Sequence, residues 1–141
     1  MKFPRIIRPG GQERRTVAAP AKAGEWAVTG AFRFAHRDPA SLRPAEMETF
    51  KHGWLGLETF GDGRIVEVAE ITSSEYEALT RRLAAYYVAE HGVANVHEAM
   101  EAAAEEMAFA ASLCSHPLKT TLALDREFNE QGLIETTRLA R

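Results

Sequence analysis

Cys114-Ser115-His116 sets a thiol close to an imidazole, the pairing that a cysteine nucleophile requires. The cysteine falls on the apolar stripe of a helix, near its C-terminus. There the helix dipole disfavours a thiolate, so a buried, inert cysteine is expected. His91, His97 and Glu101 come nearest to a metal-binding set. His97 and Glu101 share one helical face, and His91 ends the preceding helix. Two imidazoles and a carboxylate could hold zinc or iron. The spacing matches no established motif, and HEAME is not the HExxH of zinc proteases. Neither a metal nor a cofactor is expected.

Glu105 and Glu106 interrupt an otherwise small and apolar helix. Glu106 borders the helix seam and needs a cation such as Arg81, Arg82 or an N-terminal arginine. Trp26, Phe50, His52, Trp54 and Phe60 form an aromatic-rich set around glycines. Either core packing or a ligand pocket would use such residues, with Trp26, Trp54 and His52 as its walls. Arg5 and Arg8 are the candidate binding residues of the basic N-terminal segment. No phosphate loop, GxSxG elbow or dinucleotide fingerprint is present, so no catalytic residue is assigned.

Two helices must position these groups. Val96, Met100, Ala103, Met107, Ala110 and Cys114 recur at helical spacing from Asn95, a good N-cap, with Glu98 placed to reach back to it. Pro117 ends this helix. Glu75–His91 carries a stripe of Tyr76, Leu79, Leu83, Tyr86 and Tyr87. Thr72…Glu75 and Ser74…Glu77 both fit a capping box, and Gly92 suits the C′ position. The short connector predicts an antiparallel helix pair.

Strands are predicted over residues 3–8, from Thr16, over Glu25–Phe34 as one long bent strand, and over 121–128 and 133–139. The clearest hairpin joins 55–60 to 64–71 through Gly61-Asp62-Gly63. Pro44 should open a short helix running to His52, with Met47 and Phe50 inward. The fold class is α+β, a mainly antiparallel sheet with an antiparallel pair of long helices packed on one face. Residues 1–141 form a single domain, with 1–15 as a basic edge strand or arm.

The chain has 141 residues, 45% hydrophobic and 26% charged, and a net charge of −3. Such a length buries a core without staples. The charge is uneven. Residues 1–22 carry Lys2, Arg5, Arg8, Arg14, Arg15 and Lys22 against Glu13 alone. Residues 90–106 carry Glu90, Glu98, Glu101, Glu105 and Glu106 without Lys or Arg. The basic segment is expected to strap over this acidic helix, anchored by Ile6 and Ile7, or to dock a partner. A single cysteine and no apolar stretch of signal or membrane length make cytoplasmic residence the expectation. Neither nucleic acid nor membrane is expected as a partner.

KFPRIIR, GEWAVTGAF and EEMAFAASLCSHP together resemble a family of small bacterial proteins of unknown function. The resemblance covers nearly the whole chain. It implies a compact single domain and an association with accessory genes beside redox metalloenzymes, and brings no catalytic residues. The functional expectation is a non-catalytic binding or accessory protein that acts through a protein partner or a homodimer. The alternative is a small-molecule binding protein or enzyme, using an aromatic pocket with a nearby histidine or glutamate.

Overall fold

The computed structural model describes residues 1–10, 19–35 and 37–140. The expected strand start at Thr16, together with Arg14 and Arg15, lies outside them, as does His36. The strands are β1 (Lys2–Pro9), β2 (Ala27–Val28), β3 (Trp54–Gly56), β4 (Asp62–Glu70), β5 (Thr121–Asn129) and β6 (Gly132–Leu139). The helices are α1 (Pro44–His52), α2 (Ser73–Glu90) and α3 (Val96–Ser112).

β4 is the centre of the sheet. Its pairings to β1, β3 and β5 are all antiparallel. The path runs β2-β3-β4-β5-β6, with β1 on β4. An Arg5↔Trp26 bridge joins β1 to the residue before β2, so the sheet curls back on itself. Ala27 and Val28 are neighbours in β2 and both are fully buried. Strand neighbours point to opposite faces, so the curl buries both sides of the sheet. Val28, Leu55, Leu57 and Phe3 meet Leu83, Tyr87, Ala103 and Met107 of α2 and α3. Ile6, Ala27, Trp54, Val66, Leu122 and Leu124 form a second cluster with Cys114.

The helix signals worked as capping chemistry dictates. Thr72 and Glu75 make the capping box of α2, and Gly92 follows it at φ 68°. Asn95 Oδ1 accepts from the backbone N–H groups of His97 and Glu98. α1 spans Pro44–His52 with Phe50 buried and Met47 half-buried. The stripes sit slightly off the expected lines. Val96 is 66% exposed, and the buried residues of α3 are Ala99, Ala103, Met107 and Ala110. Thr80, Leu83, Ala84 and Tyr87 are those of α2, with Tyr76, Leu79 and Tyr86 half-buried.

Two expectations are corrected. The strand over Glu25–Phe34 stops at Val28, and Ala31–Phe34 is a 3-10 turn. Gly30 adopts φ 77°, in the left-handed region outside regular strand geometry, and a Cβ there would lie 2.7 Å from Leu55 Cβ. The Gly61-Asp62-Gly63 turn is displaced too. The chain reverses between Gly56 and Asp62, with Phe60 at φ 56°, and Asp62 is a fully buried strand residue.

Candidate functional site

Gly30 turns the chain off β2 and delivers Phe32 toward the α2–α3 hairpin. Its N–H donates to Glu106 Oε1 at 3.0 Å, so a carboxyl of α3 holds the turn. Phe32 then stands edge-on to Tyr87, with centroids 4.7 Å apart at 85°, and to His91, at 5.1 Å and 84°. Tyr87 and His91 are themselves near-perpendicular, at 88°. A groove of about 430 Å³ is lined by these rings with Ala35, Val93, Ala102, Glu105 and Glu106. That volume is in the range of small-ligand sites.

Behind the groove runs a polar chain. The Thr29 hydroxyl lies 3.2 Å from Glu106 Oε1 and 3.0 Å from Glu135 Oε1. It has one proton and can donate to only one of them at a time. Glu135 Oε2 pairs with Arg126, at 2.8 Å from its NH2 group and 3.0 Å from Nε. The buried Arg126 guanidinium also donates to the carbonyls of Thr29, Thr49, Phe50 and Gly53. Burial raises the Glu106 pKa, and Glu135 adds to the rise; the Gly30 N–H, the Thr29 hydroxyl and Arg126 oppose it. A proton held on Glu106 would satisfy the whole chain, with Thr29 accepting from Glu106 and donating to Glu135.

The groove's other groups are shifted as well. Burial pushes the Tyr87 phenol upward, and Glu106 pushes it the same way. Burial lowers the His91 pKa, with Arg33 helping and Glu90 opposing, so the imidazole is neutral at neutral pH. Arg33 donates to the carbonyls of Gly30 and Gly53, each at 3.0 Å. Burial and Arg126 lower its pKa to about 10, which leaves it charged at neutral pH.

The candidates from sequence are distributed differently. Trp26 donates to Glu75 Oε2 at 3.3 Å and packs on Phe3; it lines a separate groove with Glu25, Leu79 and Arg82. His52 Nδ1 lies 3.0 Å from the Leu124 carbonyl and 3.3 Å from Asp125, in another groove. Trp54 is fully buried, and its indole N–H finds no partner among the described residues. Trp26 and His52 line different grooves, and Trp54 lines neither of them. Arg5 pairs with Glu67 at 3.1 Å and lies over Trp26 at 5.3 Å, whereas Arg8 is exposed. β1 is therefore hydrogen-bonded into the sheet, and Arg5 is neutralised by β4, not by the acidic helix. Ile6 anchors it, but Ile7 is 40% exposed.

His97 pairs with Glu101 at 3.1 Å on the exposed face of α3, while His91 packs among the rings of the groove. Among the described residues no three His, Cys, Asp or Glu side chains converge as metal ligands would. Cys114 is buried, and burial pushes its thiol up to about 11. Glu106 was visible in the sequence as a seam carboxylate, but its partners are not the arginines expected. Arg82 instead caps the Leu57 and Glu58 carbonyls. Thr29, Arg126 and Glu135 gave no local signal; only the 126–135 pairing across the β5–β6 hairpin could have drawn notice.

A curled antiparallel sheet clasped by a helical hairpin, with a carboxyl at a groove between them, defines an α+β domain with a built-in small cleft. The chain belongs to the family of unknown function DUF6505, which matches residues 1–141. No curated protein and no solved structure matches the chain. Among the described residues no helix is long and apolar enough to cross a membrane.

Proposed function

We propose that the protein is a non-catalytic binding protein that takes a small molecule in the groove between the 31–34 turn and the α2–α3 hairpin. The observation that carries this reading is Glu106. Its carboxyl is drawn from water by the protein interior, yet it lines a groove whose other walls, Glu105 aside, are aromatic and apolar. Apolar walls with few placed polar groups are the usual composition of a ligand site. A cytoplasmic location fits a chain whose one cysteine is unpaired. The test is an amide-resolved NMR titration with small aromatic alcohols. Shifts should gather at Phe32, His91, Val93 and Ala102. Ala102 is exposed and lines the groove, so Ala102→Trp should fill the space and abolish them without unfolding the protein. Shifts that scatter elsewhere, or survive Ala102→Trp, would reject the groove.

A second reading, contact with a protein partner or a second copy, draws on β6. Among the described residues this strand pairs only with β5, and it leaves Leu133 38% and Leu139 66% exposed. An open apolar strand edge is a pairing surface. Light scattering would show a dimer that Leu139→Lys disrupts if this edge assembles.

A further inference from the structure

We propose that the ligand of this groove is a small organic ammonium ion, held by the Phe32, Tyr87 and His91 rings and by Glu106. The inference rests on the binding reading above and adds the charge of what is bound. The three rings pack edge-to-face on one another, at 84–88°, and so form one fixed aromatic wall of the groove. The part of these rings that lines the groove offers the methyl groups of an alkylammonium ion an apolar wall, and Glu106 beside it offers the opposite charge.

The charged side chains among the lining residues are both carboxylates, Glu105 and Glu106. Glu90 lies next to His91, and Glu98 and Glu101 extend the acidic face of α3. The cations near Glu106 are turned to other work. Arg126 is bound to Glu135 and to backbone carbonyls, and Arg33 to the Gly30 and Gly53 carbonyls. Glu106 Oε1 is occupied by Gly30 and Thr29, while Oε2 makes no hydrogen bond among the described residues. That oxygen is left for a ligand.

The groups facing Glu106 are Glu135 from β6, Arg126 from β5, Arg33 from the turn and Tyr87 from α2. In the empty groove burial raises the Glu106 pKa. A cation brought alongside favours the carboxylate, so binding should lower that pKa and expel a proton over the pH range in which Glu106 titrates.

Choline and 3,3-dimethyl-1-butanol have nearly the same shape and differ in charge. Calorimetric titration of the full chain with each, in buffers of different ionisation enthalpy, tests the inference. Choline should bind at least about tenfold more tightly and, at pH values where Glu106 titrates, release protons. Glu106→Gln keeps an oxygen to accept from the Gly30 N–H, and should lose that preference while still binding the alcohol. Equal binding of the two probes would overturn the cation and leave the groove as a neutral-ligand site. Binding of neither would overturn the groove reading as well. A preference for choline that persists in Glu106→Gln would overturn the role of the carboxyl.

Discussion

Asp62 and Glu106 are both acids whose pKa values are raised chiefly by burial, yet their surroundings differ in kind. Asp62 is fully enclosed, with Oδ2 lying 3.2 Å from Thr49 Oγ1 and 3.0 Å from Arg64. Its Oδ1 finds no partner among the described residues, and a Cβ on Gly53 would overlap it. Its own backbone ties to Gly10, Ala19 and Ala21. Everything about Asp62 serves to knit the chain around one end of β4. Glu106 has the same electrostatic signature but lines a groove that a ligand can enter. A perturbed acid marks a site only when something can reach it; otherwise it is part of the scaffold.

Arg126 faces both acids, and its removal should have the largest effect. Arg126→Ala strands Glu135 and takes the guanidinium donor from the backbone carbonyls of Thr29 and Phe50. Losing one partner of a buried ion pair typically costs about 3–5 kcal/mol. Urea denaturation should show a loss of that order. A loss under about 1 kcal/mol would mean that the network does not hold the α1, β2 and β6 regions together.

Met107→Ala probes the seat that presents Glu106. Met107 is fully buried between the helices and the sheet, so truncation should destabilise by roughly 2–5 kcal/mol. A change within about 0.5 kcal/mol would place the seam of α3 on another face.

A smaller effect separates the two acids by pH. A carboxyl whose folded pKa exceeds its unfolded value binds more protons when folded. Its favourable contribution is complete below the unfolded pKa and is lost as pH rises through the folded one. Glu106→Gln cannot ionise, and Asp62 is present in both proteins, so their difference isolates Glu106. The variant should gain stability over the parent as pH rises above 4.5, the ordinary value for a glutamate. Parallel stability curves would show that Glu106 is not strained by ionisation.

Much of the fold was legible because it is local. Asn95, Thr72 with Glu75, and Pro44 announce helix starts through hydrogen bonds and steric limits that act within one turn. Alternation marked β5 and most of β4 for a similar reason. The site was less legible because it is assembled from distant segments. Gly30 reads as an interruption in a strand, and only Leu55 overhead shows why the strand must end there. Asp62 between two glycines reads as a turn, and only its enclosure shows otherwise. Trp26, Trp54 and His52 were reasonable pocket residues by type, but each is engaged separately by core packing or by a hydrogen bond to a distant segment. Tyr87 and His91 lie one turn apart at the end of α2, but Phe32 comes from a distant segment and meets them only in the folded chain.

Carbon-13 NMR of the side-chain carboxyls, recorded against pH with and without saturating choline, tests the contrast between the two acids most directly. Without choline, Glu106 and Asp62 should each titrate above their ordinary values, 4.5 and 3.8. With choline, the Glu106 midpoint should fall while that of Asp62 stays in place. A Glu106 midpoint that does not move, or one that moves together with that of Asp62, would contradict the assignment of the groove as the site and of Asp62 as scaffold.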